Sequence, residues 1–168
     1  MKKSVLLLMI IVIVFMAFIG TIKTYNDRLD TAYDSLKFRG IEHNLVELEG
    51  AIQFQKDNNW TNSYAVLEKV QDVIEGIGIT LIVSKDMGNL TKENEDTLNL
   101  LLDIMSEYDK YGDYPDSSDS VNTQDKDAFS KLADDLNKVN WAVGSSYGKN
   151  DDEFKRAVDN LYSYQKEQ

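Results

Sequence analysis

The chain has 168 residues, enough for one domain of about 140 residues beside a short N-terminal segment. It has no cysteine, which excludes disulfides, thiolate metal sites and cysteine nucleophiles. The net charge is −11, and residues 1–23 hold three lysines and no acid, so the remaining chain carries −14. A field of that sign repels the phosphates of nucleic acids and of anionic lipids, and we therefore expect no nucleic acid partner.

The first predicted element is an apolar helix. No charged residue lies between Lys3 and Lys23, and the 18 residues 5–22 span about 27 Å as a helix, close to the thickness of a hydrocarbon core. A soluble domain of this size has no core large enough to bury that length. We therefore expect residues 5–22 to cross a lipid bilayer, with successive turns marked by Val5, Leu8, Val12, Phe15, Ile19 and Ile22.

The sequence leaves two fates open for this segment. A cleavable signal peptide needs small residues at positions −3 and −1 of the cut, and the apolar run offers no such pair. We expect residues 1–23 to persist as a signal-anchor, with secretion after cleavage as the alternative. Lys2 and Lys3 before the apolar run are typical of export, which predicts a cytoplasmic N-terminus and an acidic domain, residues 24–168, outside the membrane.

Helical spacing continues after the span. Two apolar stripes follow one another, and the spacing slips by a residue around 38–40, which predicts a bend or a change of packing partner there. The first stripe comprises Tyr25, Leu29, Ala32 and Leu36, and the second comprises Ile41, Leu45, Leu48 and Ile52.

A polar turn at 56–59 precedes the next helix, and Asn58 or Asn59 is expected to cap it. Gly76 and Gly78 lie within this helix and each costs roughly 1 kcal/mol in a helix interior. They predict either the close approach of a neighbouring backbone or a helix end before a separate apolar segment at 79–83. The seam expected to face the core comprises Trp60, Tyr64, Leu67, Val70, Ile74, Ile77 and Leu81.

Thr91 is expected to cap a third helix, because Glu93 and Glu95 follow it near the positive end of the helix dipole. The stripe of this helix comprises Leu98, Leu101, Met105 and Tyr108. Residues 112–124 are polar and rich in turn formers, which predicts the longest and most flexible loop of the domain.

Two further helices complete the chain. In the second of them Asn150 is expected to be the N-cap, with Glu153 as its capping-box partner. The inward positions are Phe129, Leu132, Leu136, Val139 and Val143 in the first, and Phe154, Ala157, Leu161 and Tyr164 in the second. The predicted fold class is all-α, an N-terminal transmembrane helix followed by an antiparallel bundle of four to five helices.

Few side chains are suited to catalysis. The one histidine, His43, lies four residues before Glu47 and is expected to be a surface residue in an acidic stretch. The chain has no nucleophile elbow, zinc-binding histidine pair or phosphate-binding glycine loop. We therefore expect no catalytic residue, no cofactor and no enzymatic activity.

Carboxylates recur in and after the long loop. Calcium takes six to eight oxygen ligands, so such a segment is chemically suitable for it. The spacing lacks the alternating ligands and central glycine of an EF-hand, and a solvated acidic loop is the simpler interpretation. We predict no metal site, and the candidates that a site would use are Asp113, Asp116, Asp119, Asp125 and Asp127.

Aromatic residues offer another candidate surface. Tyr108, Tyr111 and Tyr114 have three-residue spacing, which suits either a ligand surface or the covered end of a helical core. Trp141 lies off the stripe of its helix. It is either an exposed interaction residue or part of a broad buried face.

Three features occur in order along the chain: the N-terminal span, Leu-Glu-Gly-Ala-Ile at 48–52 in an acidic helix, and Asn-Trp-Thr-Asn-Ser-Tyr-Ala-Val-Leu-Glu at 59–68. This order resembles uncharacterised single-pass, N-terminally membrane-anchored helical proteins of Gram-positive bacteria, over about residues 1–140. The resemblance implies a membrane location and a helical fold, and it implies no activity.

Three functional hypotheses follow. The first is a non-enzymatic, membrane-tethered interaction module at the bacterial cell surface, which binds the bilayer through residues 5–22 and a protein or envelope partner through a bundle face or the 112–124 loop. The second is an extracytoplasmic, sensor-like bundle that binds a small ligand or a cation. The third, an envelope-associated enzyme, is the least favoured because the catalytic motifs are missing.

Overall fold

The computed structural model describes residues 2–110, 123–145 and 148–166, and the side chains of these residues other than 2–7 and 123. The described residues form α-helices and one π-helical segment, Lys37–Glu42, and no strand occurs among them. The all-α prediction is therefore confirmed. The helices are α1 (Lys2–Leu36), α2 (His43–Asp57), α3 (Tyr64–Met87), α4 (Lys92–Asp109), α5 (Thr123–Lys138) and α6 (Asp151–Lys166).

The N-terminal half of the chain is one continuous rod. Helix α1, the π-helical segment and α2 follow one another without a loop, so residues 2–57 form a single helical body. Residues 8–32 of the rod contain no buried side chain, and Tyr33 is the first buried one. The rod therefore carries the apolar segment at one end and supplies a central helix of the bundle at the other.

The helices of the bundle alternate in direction around α2. Helices α3 and α5 run antiparallel to α2, whereas α4 runs antiparallel to α3 and α6 runs parallel to α4. Helix α2 contacts α3 through Glu47 with Lys69 and Asn44 with Asp72, and it contacts α5 and the residues after it through Lys56 with Asp134 and Glu49 with Val143. Helix α3 contacts α4 through Gln71 with Asp109. Helix α4 contacts α6 through Asn94 with Asp151 and Tyr108 with Gln165. The turn between α3 and α4 consequently lies at the end of the bundle nearest the apolar segment.

The core forms where the predicted stripes meet. The stripe of α2 and the π-helical segment, comprising Ile41, Leu45, Leu48 and Ile52, is fully buried, and so are Leu98, Leu101 and Met105 of α4. The slip predicted around 38–40 coincides with the π-helical segment, whose wider turn takes up the extra residue. The change of packing partner is thus made without breaking the rod.

Gly40 and Gly76 lie where the rod and α3 cross at close range. A Cβ atom at Gly76 would lie 1.7 Å from the carbonyl oxygen of Gly40, which no side chain tolerates. Gly78, by contrast, has open space around its position. The close approach predicted for this pair of glycines holds for Gly76 only, and α3 continues without a break to Met87.

Both predicted N-caps of the later helices are confirmed. Thr91 accepts a hydrogen bond from the backbone N–H of Asn94 at 3.1 Å. Asn150 and Glu153 form the reciprocal capping box, in which each side chain accepts from the backbone N–H of the other residue.

The turn between α2 and α3 differs from the prediction. Helix α3 begins at Tyr64 rather than near Trp60, and Asn58 and Asn59 end α2 instead of capping α3. Asn59 has φ 55°, and the N–H of Trp60 donates to the carbonyl of Gln55, a hydrogen-bond pattern that closes a helix C-terminus. Trp60 packs against Phe129 from this turn, and Tyr64 is exposed rather than part of the seam.

Helix α5 also ends differently from the prediction. It stops at Lys138, and Asn140 takes φ 60° while the N–H of Trp141 donates to the carbonyl of Leu136. This reversal buries Trp141 completely and leaves Val143, an expected core residue, 72% exposed. The helix begins at Thr123, so the last two residues of the predicted 112–124 loop are helical; residues 111–122 lie outside the described residues.

Candidate membrane anchor and its junction with the bundle

The apolar side chains of α1 that the structure describes are open to the surroundings. The large hydrophobic side chains from Leu8 to Ile22 are 45–68% exposed. Among the residues that the structure describes, this is the one helix long and apolar enough to cross a membrane. Val5 lies on the same helix, with its side chain outside the described set; Leu8, Val12, Phe15, Ile19 and Ile22 are all exposed.

The polar groups of this segment are satisfied within the helix. The hydroxyl of Thr21 donates to the carbonyl of Ala17 at 3.0 Å, and the hydroxyl of Thr24 donates to the carbonyl of Gly20 at 2.9 Å. A hydroxyl that is bonded to its own helix does not need water, so these threonines are compatible with hydrocarbon or with the interface.

A buried lysine fixes the rod to α6. Lys37 is 1% exposed, and its ammonium contacts the carboxylates of Asp151 and Asp34. It also lies 5.3 Å from the ring centroid of Tyr33 and 5.7 Å from that of Phe154. Burial, together with the charges of Asp151 and Asp34, raises the pKa of Tyr33 above its ordinary value.

Two buried carboxylates of the rod hold the connection between α5 and α6. Glu42 accepts hydrogen bonds from the backbone N–H groups of Gly148 at 3.0 Å and Lys149 at 3.1 Å. Glu49, seven residues further along the same face, accepts from the N–H of Val143 at 3.1 Å. These bonds replace the partners that a non-helical backbone loses when it packs against a helix. The α5–α6 connection is therefore bound to the rod at two positions, Glu42 and Glu49.

Sequence reasoning missed these buried charges. Glu42 and Glu49 directly follow Ile41 and Leu48, two residues of the predicted core stripe, and their seven-residue separation places both on one flank of that stripe. A pair of acids at that spacing beside a core stripe was the available signal. Asp34 lies three residues before Lys37 and was visible as a partner, but Asp151, which joins Lys37 to α6, is 114 residues away in the chain.

The carboxylate candidates do not converge in the described part of the chain. Asp113, Asp116 and Asp119 lie outside the described residues, while Asp125 is buried on α5 and Asp127 is exposed on it. Within the described ranges, no group of three potential metal ligands is present. His43 is exposed and contacts Glu47 at 3.2 Å, the surface pairing expected from its spacing.

The aromatic candidates serve mainly as packing. Tyr108 is buried, stacks near Phe129 and accepts a hydrogen bond from the amide of Gln165. Tyr111 and Tyr114 lie outside the described residues. Trp141 is buried against the edge of the Phe154 ring, so it is not an exposed interaction residue.

Two open grooves lie on the sides of the bundle. One, of about 390 Å³, is lined by residues that include Asp103, Glu107 and Tyr162. The other, of about 570 Å³, contains Lys138, Lys149 and Arg156, but these cations are engaged by Asp135, by the carbonyl of Asn140 and by the carbonyl of Asp152, respectively.

Comparison with known proteins adds no relative. No protein-family model matches the chain, and no curated protein or solved structure matches it significantly.

Proposed function

We propose that this protein is a non-enzymatic, membrane-tethered helical interaction module at a bacterial cell surface. The observation that carries the proposal is the helix over 8–22, which is apolar and exposed on every side and continues without a loop into a packed bundle. Burial of each such side chain in hydrocarbon gains about 1.5–3 kcal/mol relative to water. A lipid bilayer of matching thickness is the environment that accepts all of them at once.

The proposed partner contact lies on the bundle. Ile79 and Ile82 are 45% and 64% exposed on one face of α3. Two neighbouring apolar side chains on the surface of a small acidic domain suit contact with a protein or an envelope component. The tether holds that surface at a fixed place in the envelope.

A non-enzymatic role fits the placement of the charged groups that the structure describes. The one histidine is on the surface and pairs with Glu47, and the buried charges at Lys37, Glu42 and Glu49 hold helices and loops together. The location at the surface of a Gram-positive cell, with a cytoplasmic N-terminus, rests on Lys2 and Lys3 before the span and on the resemblance described above.

Membrane partition tests the tether. The double variant Val12→Lys/Phe15→Lys places two charges near the middle of the span, at a cost of about 2.5–3.5 kcal/mol each. We expect it to move from the alkali-resistant membrane fraction to the soluble fraction, while the bundle keeps its fold because these side chains contact nothing in it. The matched control, Ile79→Lys/Ile82→Lys, adds the same charges on the bundle and is expected to stay in the membrane. Equal partition of both variants would refute the tether.

Site-directed photo-crosslinking tests the partner contact. A photoreactive residue at Ile82 in native membranes is expected to give one discrete crosslinked product, and one at the exposed Asp134 on α5 is expected to give none. The same products from both positions, or none from either, would contradict a specific contact on α3.

A further inference from the structure

The end of the bundle nearest the span lies close to the bilayer surface, if the tether proposed above holds. The side-chain amide of Asn89, in the α3–α4 turn, donates to the backbone carbonyl of Leu29 at 2.8 Å. Leu29 is seven residues beyond Ile22, which places the turn about 10 Å along the helix axis from the end of the span. Because the rod has no loop between the span and Leu29, that distance is fixed by the helix itself.

This end of the molecule differs from the rest in charge. We call residues 23–30 and 85–92 the membrane-facing end; they contain Lys23, Arg28, Lys85 and Lys92 against three aspartates, a net charge of +1. Because Lys2 and Lys3 add +2 and the whole chain carries −11, residues 31–84 and 93–168 together carry −14. That acidic charge begins with Glu93, Glu95 and Asp96 in the first turns of α4 and continues along the sides and the far end of the bundle.

The side chains at this end suit the interface between lipid and water. Tyr25 is 59% exposed three residues beyond the span, where amphipathic aromatic side chains are typical of membrane proteins. Met87 is partly exposed at the end of α3, and Lys85 and Lys92 are exposed on either side of the turn. Lys92 contacts Asp96 and Glu95 on the surface of α4, and no acid of the described residues forms an ion pair with Lys85.

We propose that the membrane-facing end docks on the lipid headgroups of the bilayer that holds the span, with Tyr25 in the headgroup layer and Lys85 paired with a lipid phosphate. The headgroup layer of one leaflet is about 5–8 Å thick, and a lysine side chain at the turn is long enough to reach it. The −14 charge on the remaining surface prevents the bundle from lying flat on an anionic bilayer. The bundle therefore stands upright and presents its sides and far end to partners.

Quenching by labelled lipids tests this contact. The chain has no cysteine, so a single fluorophore can be placed on Met87→Cys, on Asp57→Cys at the far end of α2, or on Val12→Cys in the span. Each full-length variant is reconstituted in vesicles of phosphatidylcholine and phosphatidylglycerol that carry a quencher on either the headgroup or the acyl chain. We expect headgroup quenching at Met87→Cys, acyl-chain quenching at Val12→Cys, and neither at Asp57→Cys.

A charge reversal tests the role of Lys85. Adding Lys85→Glu to Met87→Cys is expected to lower headgroup quenching about twofold. The control Lys126→Glu makes the same change in net charge on α5, toward the far end, and is expected to leave quenching unchanged. Met87→Cys and Asp57→Cys quenched equally, or equal effects of the two reversals, would overturn the docking proposal. If Val12→Cys also escapes acyl-chain quenching, the tether itself fails.

Discussion

At the scale of single residues, buried charges decide how the bundle is held together. Glu42 and Glu49 are almost fully buried, yet each receives backbone N–H groups from the α5–α6 connection. A carboxylate that accepts such bonds forms stronger hydrogen bonds than a neutral acceptor does. The path of the connection therefore depends on two side chains of the rod rather than on apolar packing alone.

Removal of one of these carboxylates should destabilise the bundle. Glu42→Ala leaves the N–H groups of Gly148 and Lys149 without their acceptor, and we expect the free energy of unfolding to fall by about 2–4 kcal/mol. The measurement is urea unfolding of the full chain in detergent micelles, followed by tryptophan fluorescence. Glu75→Ala, on the exposed face of α3, should change stability by less than about 0.5 kcal/mol. Similar losses in the two variants would contradict the role of Glu42.

Tyr33 should make the protein sensitive to alkali. Its pKa is raised in the folded state by burial first and by Asp151 and Asp34 second, from an ordinary value of 10.0. Below about pH 10 the phenol is protonated in both states and contributes no pH dependence. Above that pH the unfolded chain loses the proton while the folded chain keeps it, so stability falls by up to about 1.4 kcal/mol per pH unit.

The comparison of stability at pH 9 and pH 11 between variants isolates this residue. Lys69 contributes a decline in the same direction, because its hydrogen bonds to Glu47 and Asp72 raise its pKa in the folded state. Tyr33→Phe should therefore reduce the decline without abolishing it, whereas Tyr64→Phe, at a 71% exposed position, should leave it unchanged. A decline in Tyr33→Phe as steep as in the native chain would show that Tyr33 has no part in it.

At the scale of elements, alanine substitutions at two glycines of α3 are expected to have opposite effects on stability. Gly76→Ala would place a methyl group against the Gly40 carbonyl, so we expect a loss of about 3 kcal/mol or more, or failure to form the bundle. Gly78→Ala meets open space and should stabilise the helix by about 0.5–1 kcal/mol. Thermal unfolding followed by circular dichroism measures both. A stabilised Gly76→Ala variant would contradict the close crossing of the rod and α3.

The helical stripes were predictable because apolar spacing alone defines them. Leu98, Leu101 and Met105 are buried as the spacing of α4 requires, and the slip near residue 39 located the π-helical segment. The capping box of Asn150 and Glu153 was equally visible, since both partners lie within one turn of sequence. Such local patterns are predictable because the interacting residues lie close together in the sequence.

The start of α3 and the end of α5 were mispredicted for one shared reason. Helices α2 and α5 each end before an Asn-Trp pair, Asn59-Trp60 and Asn140-Trp141, in which the asparagine takes a positive φ and the tryptophan N–H closes the helix. Asparagine adopts this conformation more readily than most residues, but it is also a common N-cap, which is how Asn59 was interpreted. The apolar spacing of α5 continues to Val143, although the helix itself ends at Lys138.

At the scale of the whole molecule, the rod joins the apolar segment to the bundle without a flexible linker. The sequence predicted the span from its length and lack of charge, and the exposure of every large apolar side chain over 8–22 agrees with it. The contacts between the rod and the C-terminal part of the bundle could not be predicted from the sequence. Lys37 is more than 100 residues from Asp151 in the chain, and Glu42 is more than 100 residues from Gly148. Pairings of that separation follow only from the packed topology.

Cysteine accessibility in intact cells tests the tether and its orientation most directly. The native chain has no cysteine, so Ser4→Cys before the span and Asp57→Cys on the bundle each report one position. A membrane-impermeant maleimide should label Asp57→Cys in the membrane fraction of intact cells and should label Ser4→Cys only after lysis. Labelling of Ser4→Cys with protection of Asp57→Cys would reverse the orientation, and recovery of both variants in the soluble fraction would contradict the membrane anchor.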